Sequence, residues 1–441
     1  MCRPSAETTS GRIDPDMILL CALYCANSAV SNIVLISIVR FLNSSDREGK
    51  RVSDRVVGTR TPDPRIASGR VRLARWLIAY GAFGVPQAAA PIAFGLLAVQ
   101  LFGTADAGAG LVLAMTAAQV VCAVPATRFG RRFHPTHYLR ALFAIRAIAL
   151  ASVALLAGVA APLWTLIAAA AVAGAFNGAA YGYLRSVLTH LVSRASMTRA
   201  LGVAATVNEV TFVLTPVAIA AVGSVSPSVA VLVAAALGAL PLFLLPKNGS
   251  PELSAARSPQ RRMLDVKVLL WLVCELALGS LVAGVEVGAV SLSLKFRLEP
   301  GWAALFPLAL CAASVGGGIW ISIRNRRATN GTVVAMMLVA ATGGVLVMSD
   351  VLSLALVGAA VIGACLAPLI THFAIVVEEV TPSARQPEAF ALLRTADSLG
   401  VIMASGITAV LGPAPALLCS ALLAVGLGIA VGVVSVLQHR R

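Results

Sequence analysis

From Trp76 onward, long apolar runs alternate with short polar breaks. Each run is close to the ~20 residues a helix needs to cross a bilayer. The runs fall at 76–98, 108–127, 139–160, 163–186, 201–222, 228–246, 267–292, 303–323, 332–349, 352–376, 390–411 and 415–437. The pattern predicts an all-α membrane protein with twelve transmembrane helices in two six-helix bundles. The implied units are residues 76–246 and 265–438, joined by a polar linker at 247–264.

One spacing relates the two bundles. Thr206 falls on Thr395 and Gly223 on Gly412, each 189 residues apart. The same shift carries Ala200 onto Ala389, Asn208 onto Asp397, and Val172, Gly174 and Ala175 onto Val361, Gly363 and Ala364. A shared offset in two separate blocks indicates internal duplication and hence pseudo-symmetric halves. Two parallel halves with rare charges near their interface are the outline of a secondary transporter.

Residues 1–75 break the rhythm and read as an N-terminal extension. Met17–Val39 is apolar enough to insert, although it holds Asn27, Ser28, Ser31 and Asn32. Arg40–Arg75 is rich in charge, Pro, Gly and Ser and reads as a disordered linker. Segment 17–39 has three competing readings: an extra helix, a signal peptide with a weak leader and cleavage site, or the product of a start placed too far upstream. The third is the expectation adopted, which sets residues 1–56 outside the working protein, because the twelve-helix unit does not need them.

Composition agrees with the membrane reading: 59% of residues are hydrophobic and 12% charged, about half the charged share of a soluble domain. The net charge of +15 is spread unevenly. One set of loops holds Arg128, Arg131, Arg132, Arg140, Arg185, Arg194, Arg199, Lys247, Arg257, Arg261, Arg262, Arg324, Arg326, Arg327 and Arg385, with Arg440 and Arg441 at the end; the opposite set holds Lys295 and Arg297. The loaded side is expected to be cytoplasmic, which places both ends of the twelve-helix unit inside a bacterial inner membrane. No basic platform with interleaved aromatics supports nucleic-acid binding. The eight cysteines are scattered without a C-x-x-C pair and read as small core residues.

Charges inside spans are costly, by ~2.5–3.5 kcal/mol on insertion scales. They are Arg146, Glu209, Glu275, Glu286, Arg394 and Asp397. Glu275 and Glu286 are eleven positions apart, about three helical turns, and so share a face. An acid shielded from water can exchange a proton near neutral pH. Glu286, Glu209, Glu275 and Asp397 are therefore candidates for ion coupling; the alternative is that each holds helices together as an ion pair. Arg394 and Asp397, three apart, suit a self-neutralising pair near the basic end. Arg146 is expected to snorkel to the surface. Gln87, Asn177 and Tyr181 are candidates to hydrogen-bond a substrate or, equally, neighbouring helices. The five histidines lack metal-ligand spacing, and no phosphate loop, nucleophile elbow or H-E-x-x-H is present. The expectation is a non-enzyme with no metal and no cofactor.

After the second run the chain reads Pro125-Ala126-Thr127-Arg128-Phe129-Gly130-Arg131-Arg132. This resembles the signature loop of the major facilitator superfamily, G-x-x-x-D-R-x-G-R-R. Arg128, Gly130, Arg131 and Arg132 match; Ala123 replaces the first Gly and Thr127 the Asp. The resemblance implies the major facilitator fold over residues 76–437, alternating access, and a role for this loop as a conformational latch facing the eleventh helix. It also implies that the seventh helix borders the central cavity. The family's mid-membrane arginine of the fourth helix has no counterpart in this reading. Leu214-Thr215-Pro216 is similar to the Gly-Pro motif of drug antiporters, with Thr215 for the Gly. The segments Arg199–Pro216 and Glu388–Gly406 resemble actinobacterial members described as efflux permeases. The function implied is proton-coupled efflux of a small organic molecule by a monomer in the lipid bilayer. The alternatives are a solute importer of the same fold or a non-transporting scaffold or sensor.

Overall fold

The computed structural model describes residues 64–439, apart from 104–105, 246–265, 299–304 and 327. Twelve of its helices are long and apolar enough to cross a membrane. They are α1 (Pro64–Phe102), α2 (Asp106–Gly130), α3 (Pro135–Gly158), α4 (Leu163–Leu191), α5 (Met197–Gly223), α6 (Pro227–Leu244), α7 (Val266–Lys295), α8 (Leu305–Arg324), α9 (Asn330–Val347), α10 (Leu352–Val380), α11 (Gln386–Leu411) and α12 (Pro413–His439). Each contains or overlaps one apolar run.

The helices outlast the apolar runs mainly at the arginine-rich end. There, α1 starts at Pro64, inside the stretch read as a disordered linker from 40 to 75. The expectation fails for 64–75 for a local reason: proline suits a first helical position, and arginine is a good helix former despite its charge. Arg75 then donates to the Phe243 carbonyl at 3.0 Å, fixing this turn against α6. The extension before it and the linker at 247–264 lie outside the described residues.

Several ends carry legible stop and start signals. Ser226 accepts from the Val229 amide at the start of α6, and Thr329 accepts from the Thr332 amide at the start of α9. These caps satisfy amides that the helix itself leaves open. Gly412 closes α11 at φ +91, a conformation that favours glycine.

Each half pairs its helices in the same way. In the first, α1 packs on α5 and α6, α2 on α4, and α3 on α4 and α6. In the second, α7 packs on α11 and α12, α8 on α10, and α9 on α10 and α12. The 189-residue offset reappears in detail: 3-10 turns at Arg194–Ser196 and Ser383–Arg385 lead into helices starting at Met197 and Gln386. Gly174 and Gly363, also 189 apart, press on the backbone carbonyls of Met115 and Leu310 respectively. A side chain at either glycine would collide with the facing helix, so the same close crossing is built twice. Small residues serve this purpose where lipid offers no hydrophobic drive for association.

Candidate functional site

The halves meet along α4–α11, α2–α11, α5–α8 and α5–α10. Between them lies a cavity of about 280 Å³. All seven residues singled out as coupling or substrate candidates line it: Gln87, Asn177, Tyr181, Glu209, Glu275, Glu286 and Asp397. Glu209 and Glu275 are buried, at 7% and 8% exposure, whereas Glu286 is open to the space.

Polar side chains cross between the halves in a chain. Asn177 donates to Gln87 at 3.3 Å and, through the same amide, to Gln119. Gln119 in turn donates to Ser398 of α11 at 2.6 Å. Of the substrate candidates, Asn177 and Gln87 are thus engaged with neighbouring helices while still bordering the cavity.

Arg394 and Asp397 form the expected pair at 2.9 Å. The pair lines the cavity rather than sitting apart from it, because α11 starts eight residues before Arg394 and lifts it above the arginine-rich end.

Two arginines depart from the sequence reading. Arg185 was counted among the basic loop residues, yet it lies within α4, is 3% exposed and borders the cavity. Its Nε donates to the Tyr181 hydroxyl and its Nη2 to the Tyr80 hydroxyl, both at 3.2 Å. The guanidinium also sits over both rings, at 5.1 and 5.5 Å. Two aromatic faces and two hydroxyls replace part of the lost hydration. Tyr181 and Arg185 are four apart, so they share a helix face, and that spacing was the available signal.

Arg146 does not snorkel. It is 2% exposed, donates to the Phe83 carbonyl at 2.9 Å and sits 4.9 Å from the Phe83 ring centre. Its position midway along α3 leaves both membrane surfaces out of reach, so the side chain turns inward behind the cavity wall.

The signature loop forms part of the closure at the arginine-rich end. Arg128 Nε meets Glu388 Oε1 at 2.6 Å, joining the end of α2 to the start of α11. Thr127, where the family carries Asp, instead bonds back to the Ala123 carbonyl at 2.6 Å. The carboxylate of this contact therefore comes from α11, and Glu388 was missed as its partner. Gly130 packs beneath Tyr138 and Tyr183, where a side chain would clash. Arg131 and Arg132 remain exposed.

A second closure stands at the related position of the other half. Arg199, 189 before Glu388, begins α5 against the end of α8. Its amide donates to Asn325 Oδ1 at 3.1 Å and its Nε to the Ser322 carbonyl at 3.2 Å. Asn325 returns a bond to the Ala195 carbonyl at 2.9 Å. Helix backbones touch nearby: Gly182 lies against the Pro387 carbonyl, and Gly202 and Gly318 face each other across α5–α8.

Comparison with known proteins agrees with this architecture. The family model described as "Major Facilitator Superfamily" matches residues 76–404. No curated protein sequence matches the chain. Among solved structures, the human organic anion transporter MFSD10 (TETRAN) superposes with a TM-score of 0.63 at 14% identity, covering 84% of this chain and all of that one. A bacterial homologue of the iron transporter ferroportin, in an outward-facing state, gives 0.66 at 13%, again covering 84% of this chain and all of that one. The E. coli fucose:proton symporter FucP gives 0.59 at 14%, covering 81% of this chain and 97% of that one. The family match spans most of the chain, and the twelve-helix duplicated fold is the one these structures share: the chain belongs to the Major Facilitator Superfamily of membrane transporters.

Proposed function

We propose that the chain is a proton-coupled secondary transporter that exports a small organic molecule across a bacterial inner membrane by alternating access. The observation that carries this reading is the cavity between the halves. It holds four carboxylates, and only Asp397 has an ion-pair partner among the described residues. Burying unpaired acids at this depth is costly and is retained where ions or protons move. Glu286 and Glu209 are assigned the coupling role. Glu286 opens on the cavity, and Glu209 is near enough to feel its charge. Glu275 and Asp397 complete the acidic lining.

The contacts between the halves run from mid-membrane to the arginine-rich end, which the charge bias assigns to the cytoplasm. Closure there suits an outward-facing state of a monomer, with both ends of the twelve-helix unit inside. Export is favoured over import by Pro216, which lies within α5 where the drug-antiporter motif falls. The symporter and the organic anion transporter among the structural neighbours keep import and anion transport as the readings to be tested against it.

The test is a pH-gradient assay in inside-out vesicles challenged with a compound panel. A compound that dissipates the gradient with the native chain, and does so at least tenfold more slowly with Glu286→Gln, supports proton-coupled export. Undiminished dissipation in Glu286→Gln, Glu209→Gln and the double variant would remove the coupling assignment. A folded, inserted protein that answers no compound in either vesicle orientation would favour the scaffold reading.

A further inference from the structure

The charged groups of the cavity sort into three sets. Arg394 and Asp397 form a closed ion pair. Glu209 and Glu286 are acids without a basic partner among the described residues. Arg185 and Glu275 form the third set, and they are opposite charges that do not touch.

Arg185 is 97% and Glu275 92% buried by their exposures of 3% and 8%. Both border the cavity, and the Arg185 charge reaches Glu275. Yet no ion pair joins them among the described residues. Instead Arg185 donates its Nε to the Tyr181 hydroxyl and its Nη2 to the Tyr80 hydroxyl. This leaves Nη1 of Arg185 and Oε2 of Glu275 buried without a hydrogen-bond partner. A free donor and a free acceptor of opposite charge, both desolvated, are expensive to leave open.

We propose that the cavity wall formed by Arg185 and Glu275 is a substrate subsite for an amino-acid-like zwitterion, the carboxylate seated on the Arg185 guanidinium and the ammonium on the Glu275 carboxylate. The inference rests on the transporter reading and names the substrate class for its cavity. A carboxylate matches the planar donor edge of a guanidinium, and an ammonium supplies the donor that Glu275 lacks. Phe83 and Phe212 offer apolar walls for the rest of the molecule, and a cavity of about 280 Å³ sits at the small end of ligand pockets. Because the subsite is already balanced, Glu209 and Glu286 stay available for protons while it is filled.

The experiment uses the purified full chain in lipid nanodiscs and reads ligand binding by thermal shift. Three probes share one body: L-phenylalanine carries both charges, L-phenylalaninamide only the cation, and N-acetyl-L-phenylalanine only the anion. The native chain should bind the zwitterion at least tenfold more tightly than either single-pole probe. Arg185→Gln should erase its advantage over the amide, and Glu275→Gln its advantage over the N-acetyl form. Arg185→Lys should keep part of the advantage. These readouts are ratios between probes on one protein, so a merely weakened fold does not mimic them. Equal binding of all three probes, binding of one single-pole probe only, or no shift with any probe overturns the proposal. The last result would assign this part of the cavity to ordered water. Selective binding without flux in vesicles would sink the transporter reading and leave the subsite standing. Flux of other compounds without zwitterion preference would do the reverse.

Discussion

Lys295 at the end of α7 shows how a single side chain can do two jobs of unequal weight. Its Nζ meets Asp350 at 2.8 Å and also donates to the Met348 and Ser349 carbonyls at 2.7 and 3.0 Å, which α9 leaves open at its end. Asp350 is almost fully exposed, so solvent screens the ion pair. The lysine lowers the pKa of Asp350 through hydrogen bonding and charge. What stability the pair adds is present above the usual carboxylate range and lost as pH falls through the lowered value. Lys295→Ala should therefore lower the melting temperature clearly more than Asp350→Asn, which should change it little. Equal effects in a thermal melt would mean that the ion pair, not the carbonyl contacts, matters. Arg146 supports a second expectation. Its Nε and Nη2 are buried and unpartnered, and replacing such a charge with an apolar group of similar size is often neutral or stabilising. Arg146→Met should fold with a melting temperature at or above the native one; a large loss would show that the Phe83 contacts are essential.

Glycines decide how closely the helices cross. Gly174→Ala and Gly363→Ala each place a methyl against a facing carbonyl of the same half. Each should cost about 1–3 kcal/mol, and the two losses should match because the crossings are related by the repeat. Gly95, with nothing within 4 Å of an added carbon, should accept alanine without loss. Denaturation of the three variants side by side checks both statements. Gly182 differs because its neighbour, the Pro387 carbonyl, belongs to the other half. Gly182→Ala should leave each bundle intact but disfavour closure of the arginine-rich end by a similar ~1–3 kcal/mol. A cysteine placed at the cavity floor should then become more accessible to a thiol reagent from that side. At this scale much was legible in the sequence. Apolar run lengths set all twelve helices, and the 189-residue offset foretold paired crossings. The burial of Arg146 and the depth of Arg185 were not legible. Charge marks a helix boundary only while a chain stays at the surface, and α4 runs on past Arg185 to Leu191. Periodicity gives depth along a helix, but it does not say which neighbour a side chain meets. For that reason Glu388 went unrecognised as the partner of Arg128, although its repeat mate Arg199 stood at the same helix start.

For the whole molecule, the twelve membrane-crossing helices found among the described residues all begin after Val57. A chain beginning at Val57 should therefore insert and transport as the full chain does. A fall of more than a few-fold in vesicle flux, at equal insertion, would give residues 1–56 a working role. Two closures stand at the arginine-rich end. One is an ion pair whose arginine is 62% exposed, and salt weakens such a contact. The other includes bonds from Arg199 to a carbonyl and an amide oxygen across α5–α8. The α2–α11 jamb of the gate is therefore the one tied by an exposed cation: as salt rises this side loosens, and the passage to the basic side beneath α11 widens.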